Sequence, residues 1–171
     1  MKTLLSFTAI LGTLAVSGLS GATSDTAMSA GDSHFAMKAA AGGMAEVKLG
    51  ELALRNASSQ DVKTFGQRMV DDHTKANDNL KQIASKDNIN LPTSIDAKDQ
   101  ATYDRLSKLH GAAFDKAYMQ DMVKDHKTDV AEFQKEANSG KNPDIKGFAS
   151  DTLPTLQQHL SLAEQTAAKV K

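Results

Sequence analysis

Two stretches of the chain carry the same potential chemistry. RMVDDHTKAN (68–77) and DMVKDHKTDV (121–130) each write Met-Val-x-Asp-His, which puts an imidazole beside a carboxylate at His73/Asp72 and again at His126/Asp125. A neutral imidazole offers one nitrogen lone pair, and a nearby carboxylate can accept the other ring N–H and fix the tautomer. Glu46 in GGMAEVKLGEL and His159 in LQQHL add another acid and a third ring. One carboxylate with three imidazoles is a donor set for Zn, Fe or Cu, with Asp72 and Asp125 behind the rings. Met69 and Met122 are auxiliary candidates and, with Met44, would suit Cu(I). Two readings stand side by side. The set is either a metal site or a buried His/carboxylate layer that is structural, with methionines that merely fill gaps in a core.

Such a set works only if helices bring it together. From Asp32 onward apolar residues recur at helical spacing. The first helix is expected from Asp32 or Ser33, either of which can cap it, to about Ala57. The second runs from about Gln60 to Lys86, with Val62, Phe65, Met69, His73, Ala76, Leu80 and Ile83 on one stripe. DNINLPTS breaks the pattern, and a shorter helix follows over about 96–110. The next spans about 112–138, with Phe114, Tyr118, Met122, His126, Val130, Phe133 and Ala137 inward. NSGKNP stops it, and Pro143 opens the last, which runs towards Lys169 with Ile145, Phe148, Thr152, Leu156, His159, Ala163 and Val170 inward. Pro154 should kink or split that helix.

Short turns near 58–59 and 140–142 imply two antiparallel hairpins, and the long middle connection implies a crossover. The expected fold is therefore all-α: a ferritin-like antiparallel four-helix bundle whose long crossover contains a short helix, with an up-down-up-down bundle as the alternative that the long connection disfavours. Counting ~1.5 Å per residue from the tight turns puts Glu46 and His73 within roughly 3 Å of one height, and His126 and His159 within roughly 6 Å. His34 and His110 fall near helix ends and should meet water.

The ends and the composition narrow the function. Lys2, the apolar stretch Leu4–Leu19 and the small residues Ser20-Gly21-Ala22 read as a signal peptide over 1–22, implying export to the periplasm. Residues 23–31 read as a polar, disordered leader, and 32–171 as the folded domain. No membrane span is expected after cleavage. With no cysteine, lipid attachment, thiol chemistry and disulfides are excluded. Twenty basic against twenty-one acidic residues, without runs of either sign, and no Trp make nucleic acid an unsuitable partner. A phosphate loop, HExxH and G-x-S-x-G are all absent.

GGMAEVKLGELALRNASSQDVKTFGQRMVDDH, GAAFDKAYMQDMVKDH and FASDTLPTLQQHL, in that order, resemble the exported bacterial family known as domain of unknown function 4142, often labelled an outer membrane protein. The resemblance covers about Phe35 to Ala168. It implies a periplasmic helical bundle of the ferritin-like superfamily without an established activity. The family's recurring positions match here at Glu46, Gly50, Asp72, His73, Phe114, Asp115, Asp125, His126, Pro154 and His159. The label fits poorly, since no alternating ten-residue strands are present for a barrel. Di-iron bundles use Glu-x-x-His, and the residues three before each histidine are Val70, Val123 and Leu156, so those ligands do not carry over. The leading expectation is a non-enzymatic binding or stress-related protein with a buried His/carboxylate layer. The alternatives are a metal carrier or redox protein with a transition-metal cofactor, and a module that docks an envelope protein.

Overall fold

The computed structural model describes residues 28–170. The signal-peptide reading and the leader up to residue 27 lie outside them. Five helices and no strands are present among the described residues: α1 Ala30–Asn56, α2 Gln60–Lys86, α3 Ala97–Leu106, α4 Gly111–Ser139 and α5 Pro143–Lys169. None of them is long and apolar enough to cross a membrane.

Several local expectations need correction. α1 begins at Ala30, inside the segment read as leader, because the Ser29 hydroxyl accepts from Asp32 N at 3.1 Å and caps the first turn. The middle helix ends at Leu106 instead of 110, and Gly111 then takes the positive φ of 62° that starts α4. Pro154 does not split α5, which is continuous around it. The Ser150 carbonyl four residues earlier has no N–H to bond there, but Pro154 and Ser150 are both exposed, so water can serve it.

α1 packs along α2 and α4 along α5, while α2 faces α5, α1 faces α4, and α3 lies against α1 and α4. Helices α1 and α2 come close at Gly50 and Gly66. A Cβ on Gly50 would stand 2.6 Å from the Gly66 carbonyl oxygen, so the contact requires its absence. The interior divides into two apolar clusters. One holds Leu49, Phe65, Met69, Phe114, Tyr118, Met122 and Ala163. The other holds Phe35, Ala40, Leu80, Phe133, Ile145, Phe148 and Leu156. Burying these groups supplies the main driving force, at about 25 cal/mol per Å² of apolar surface.

The two hairpins hold each other by their turns. Asp115, at the start of α4, accepts from Ser58 N (3.1 Å), Ser59 N (2.9 Å) and the Ser58 hydroxyl in the α1–α2 turn. Asp32, at the start of α1, accepts from Lys141 N (3.0 Å) and Asn142 N (2.7 Å) in the α4–α5 turn. Asn142 in turn caps α5 through Asp144 N and Ile145 N and donates to Asp87 at the end of α2. Asp32 is thus a cross-brace, not the helix cap its position suggested.

Candidate metal centre

Each long helix passes from one apolar cluster to the other, and each places a polar residue at the crossing. On α2, His73 lies between Met69 and Leu80; on α4, His126 lies between Met122 and Phe133. On α5, His159 lies between Leu156 and Ala163, and on α1, Glu46 lies between Ala40 and Leu49. All four are buried.

The three rings meet. Their centroids are 6.0 Å apart for His73–His126 and 5.4 Å for each of the other pairs. One donor nitrogen from each lies within 4.8 Å of the others. The outward nitrogens of two rings are engaged. His126 Nδ1 donates to the Met122 carbonyl at 2.9 Å, the oxygen one turn back on α4. His159 Nε2 donates to Asp72 Oδ2 at 2.9 Å, a bond from α5 to α2. Those bonds put the protons on the outer atoms and leave His126 Nε2 and His159 Nδ1 as lone-pair donors. Both of these, and His73 Nε2, are buried without a hydrogen-bond partner among the described residues.

Burial sets the protonation states. His73 is held well below the usual imidazole range by burial first, then by the neighbouring His126 and His159. Burial also lowers His126, against the pull of Asp129, Asp125 and the Met122 carbonyl. His159 is brought down to about 4 by burial, although Asp72 opposes it. At neutral pH the centre is three uncharged imidazoles, the form that binds metal. Burial raises Asp72 less than the His159 hydrogen bond and Arg68 lower it, so it stays an anion behind the ring.

Glu46 is placed differently from a fourth ligand. Its Oε1 is 3.9 Å from His126 Nδ1, the back of the ring, and it falls outside the trio. Both of its oxygens are buried and unpartnered, and burial with Asp125 and Asp99 pushes its carboxyl well up. Met69 and Met122 belong to the apolar cluster on one side of the layer, while Met44 lines a separate surface groove. Asp125 pairs with Lys98 at 3.7 Å instead of holding a ring. His34 and His110 are exposed.

Two residues at the centre were read only as members of a stripe or not at all. The Tyr118 hydroxyl is buried without a partner, and burial followed by Glu46 drives it up. Asp129, one turn beyond His126, is pushed up to about 7 by burial, then by Glu46 and Asp125. The i, i+3 spacing from His126 was the available signal for it.

The family description "Domain of unknown function (DUF4142)" matches residues 17–166. The chain belongs to this family. No curated protein matches it. Among solved structures it is similar to the crystal structure of a DUF305 fragment from Deinococcus radiodurans, with a TM-score of 0.73 at 11% identity over 83% of this chain and 98% of that one. At that identity the likeness speaks of fold alone. The DUF4142 chain therefore owes any functional reading to its own residues.

Proposed function

We propose that this DUF4142 chain is an exported, periplasmic, non-enzymatic metal-binding protein that holds one transition-metal dication between His73, His126 and His159. The observation that carries this reading is that three buried rings from three helices each bring a nitrogen within 4.8 Å of the others, and each ring has a buried nitrogen without a partner among the described residues. An unsatisfied buried nitrogen costs about 1–3 kcal/mol, and three facing one another are costly unless something accepts all three lone pairs. Tetrahedral coordination at a metal–nitrogen distance of about 2.0–2.1 Å needs the nitrogens roughly 3.3 Å apart. The rings would therefore draw in somewhat on binding.

Three neutral nitrogens suit Zn²⁺, Cu²⁺ or Fe²⁺. The Asp72 carboxylate supplies part of the countercharge through His159. The finer architecture is read as a ferritin-like four-helix bundle with α3 in the long crossover, which the pairing of α1 with α2 and of α4 with α5 supports. A purely structural layer is favoured by the His126–Met122 and His159–Asp72 bonds, but it leaves the inner nitrogens without a role.

Elemental analysis of protein purified from the periplasm, together with Co²⁺ titration followed by its visible bands, tests the reading. One ion per chain, lost in the His73→Ala/His126→Ala variant, is the expected result. A wild-type protein that carries no metal and develops no cobalt bands would overturn it.

A further inference from the structure

The buried centre needs a way in, and two clefts reach it. One, of about 230 Å³, touches His73 and His159 between Asp72, Lys75, Asn79, Asp151, Thr152 and Thr155. The other, of about 100 Å³, touches His73 alone of the three rings and is lined by Asp96, Asp99, Asp125, Asp129 and Glu132, against only Lys38 and Lys98. Lys98 pairs with Asp125 and Lys38 with Glu132, so both cations of the cleft are already matched. Asp96, Asp99 and Asp129 form no ion pair among the described residues.

We propose that this acidic cleft is the path by which a divalent cation enters from water, handed from Asp99 and Asp129 to the unpartnered Nε2 of His73. The inference rests on the metal-binding reading above and adds its route. Besides the acidic lining, it stands on His73, which is 7% exposed, lines the cleft and has no partner for that nitrogen. Carboxylates crowded into such a lining repel one another, and a passing dication relieves the repulsion. A cleft with walls of low dielectric and one sign of charge concentrates counter-ions and speeds their arrival. The larger cleft mixes Lys75 with Asp72 and Asp151 and offers no such field.

Gly42 supplies a steric check. It lines the acidic cleft, and a Cβ built on it meets nothing within 4 Å, so a longer side chain can occupy the passage without disturbing the helix. Stopped-flow loading of the metal-free full chain with Co²⁺ would compare wild type, Asp99→Asn/Asp129→Asn, Gly42→Met and, for the other cleft, Asp151→Asn. The association rate is expected to fall about ten-fold in the double carboxylate variant and to lose most of its dependence on salt. Gly42→Met should also load slowly, Asp151→Asn should load like wild type, and all four should still take up one ion at equilibrium. Unchanged rates in both the carboxylate and the Gly42 variants, or equal slowing in Asp151→Asn, would overturn the route while leaving the centre intact. A double variant that no longer takes up its ion would make these carboxylates ligands, which also contradicts a transit role. If wild type itself takes up no Co²⁺, the binding reading falls, and the route with it.

Discussion

Replacing His73 by leucine separates a metal centre from a structural layer, because the two readings give stability changes of opposite sign. His73 is 7% exposed and its Nε2 has no partner. In protein stripped of metal that nitrogen costs about 1–3 kcal/mol, and an apolar side chain of similar volume removes the cost. The ring is flanked by the two apolar clusters, so leucine meets Met69 on one side and Leu80 and Leu156 on the other. Some repacking strain offsets the gain, and the metal-free variant should be more stable than wild type by about 1–2 kcal/mol. With metal at a hundred times its dissociation constant, wild type should gain about 2.7 kcal/mol, whereas His73→Leu, missing one of three ligands, should gain little. The order of stability therefore inverts between EDTA and saturating Zn²⁺. Urea denaturation curves of both proteins under both conditions read this directly. If His73→Leu is less stable than wild type in EDTA, the ring is satisfied as it stands and the centre is structural.

Three further outcomes follow from the geometry. Asp72→Asn removes the anionic acceptor of His159 Nε2–H, and Zn²⁺ affinity measured by chelator competition should fall about 10–100-fold with stoichiometry unchanged. Asp115→Ala takes the acceptor from Ser58 N, Ser59 N and the Ser58 hydroxyl, and should lower the unfolding free energy by about 1–3 kcal/mol in urea while leaving metal content as it was. The Glu136 carboxyl is pushed up to about 7, from an ordinary 4.5, by burial first and then by its hydrogen bond to Asp32 and that residue's charge. The folded chain keeps a proton there that the unfolded chain releases near 4.5, so this contribution is full below about 4.5 and lost as pH rises through 7. Glu136→Gln should flatten the pH dependence of the urea midpoint over that window, and an unchanged slope would refute the assignment.

The helices and their inward faces were legible in the sequence because a 3.6-residue repeat of apolar side chains is a local signal. Phe65, Met69, His73 and Leu80 on α2 and Phe114, Tyr118, Met122, His126 and Phe133 on α4 are buried where that repeat puts them, while Ala76, Ile83, Val130 and Ala137 of the same stripes are only half-buried. The meeting of the histidines was legible to within a turn, since the tight turns at 57–59 and 140–142 act as rulers. What the sequence did not show depended on partners distant along the chain. Asp32 looked like a cap because its neighbours are helix-forming, yet it is spent on Lys141 and Asn142. Glu46 has the right height, but the direction of its side chain, towards the back of His126, is set by how α1 sits on α4 and not by periodicity. Asp129 and Tyr118 acquire their character only from burial beside Glu46.

The two Met-Val-x-Asp-His copies turn out not to be equivalent positions of a repeat. The framework does repeat, at a different spacing. Asn56 to Ser139, Gln60 to Pro143 and Lys86 to Lys169 are each 83 positions apart, as are the two cross-braces Asp32 and Asp115 and the core pairs Val62/Ile145 and Phe65/Phe148. His73 and His126 are only 53 apart and fall on the second helix of one hairpin and the first helix of the other. At the spacing of the framework, His73 corresponds to Leu156, His126 to Gly43, and His159 to Ala76. The scaffold is built twice and the histidines once. A layer needed simply to hold two like hairpins together would be expected at matching heights in both, as the paired aspartates are. Three rings brought to one side of that symmetry, each with a free nitrogen, are better explained by a guest that needs three donors at a single point.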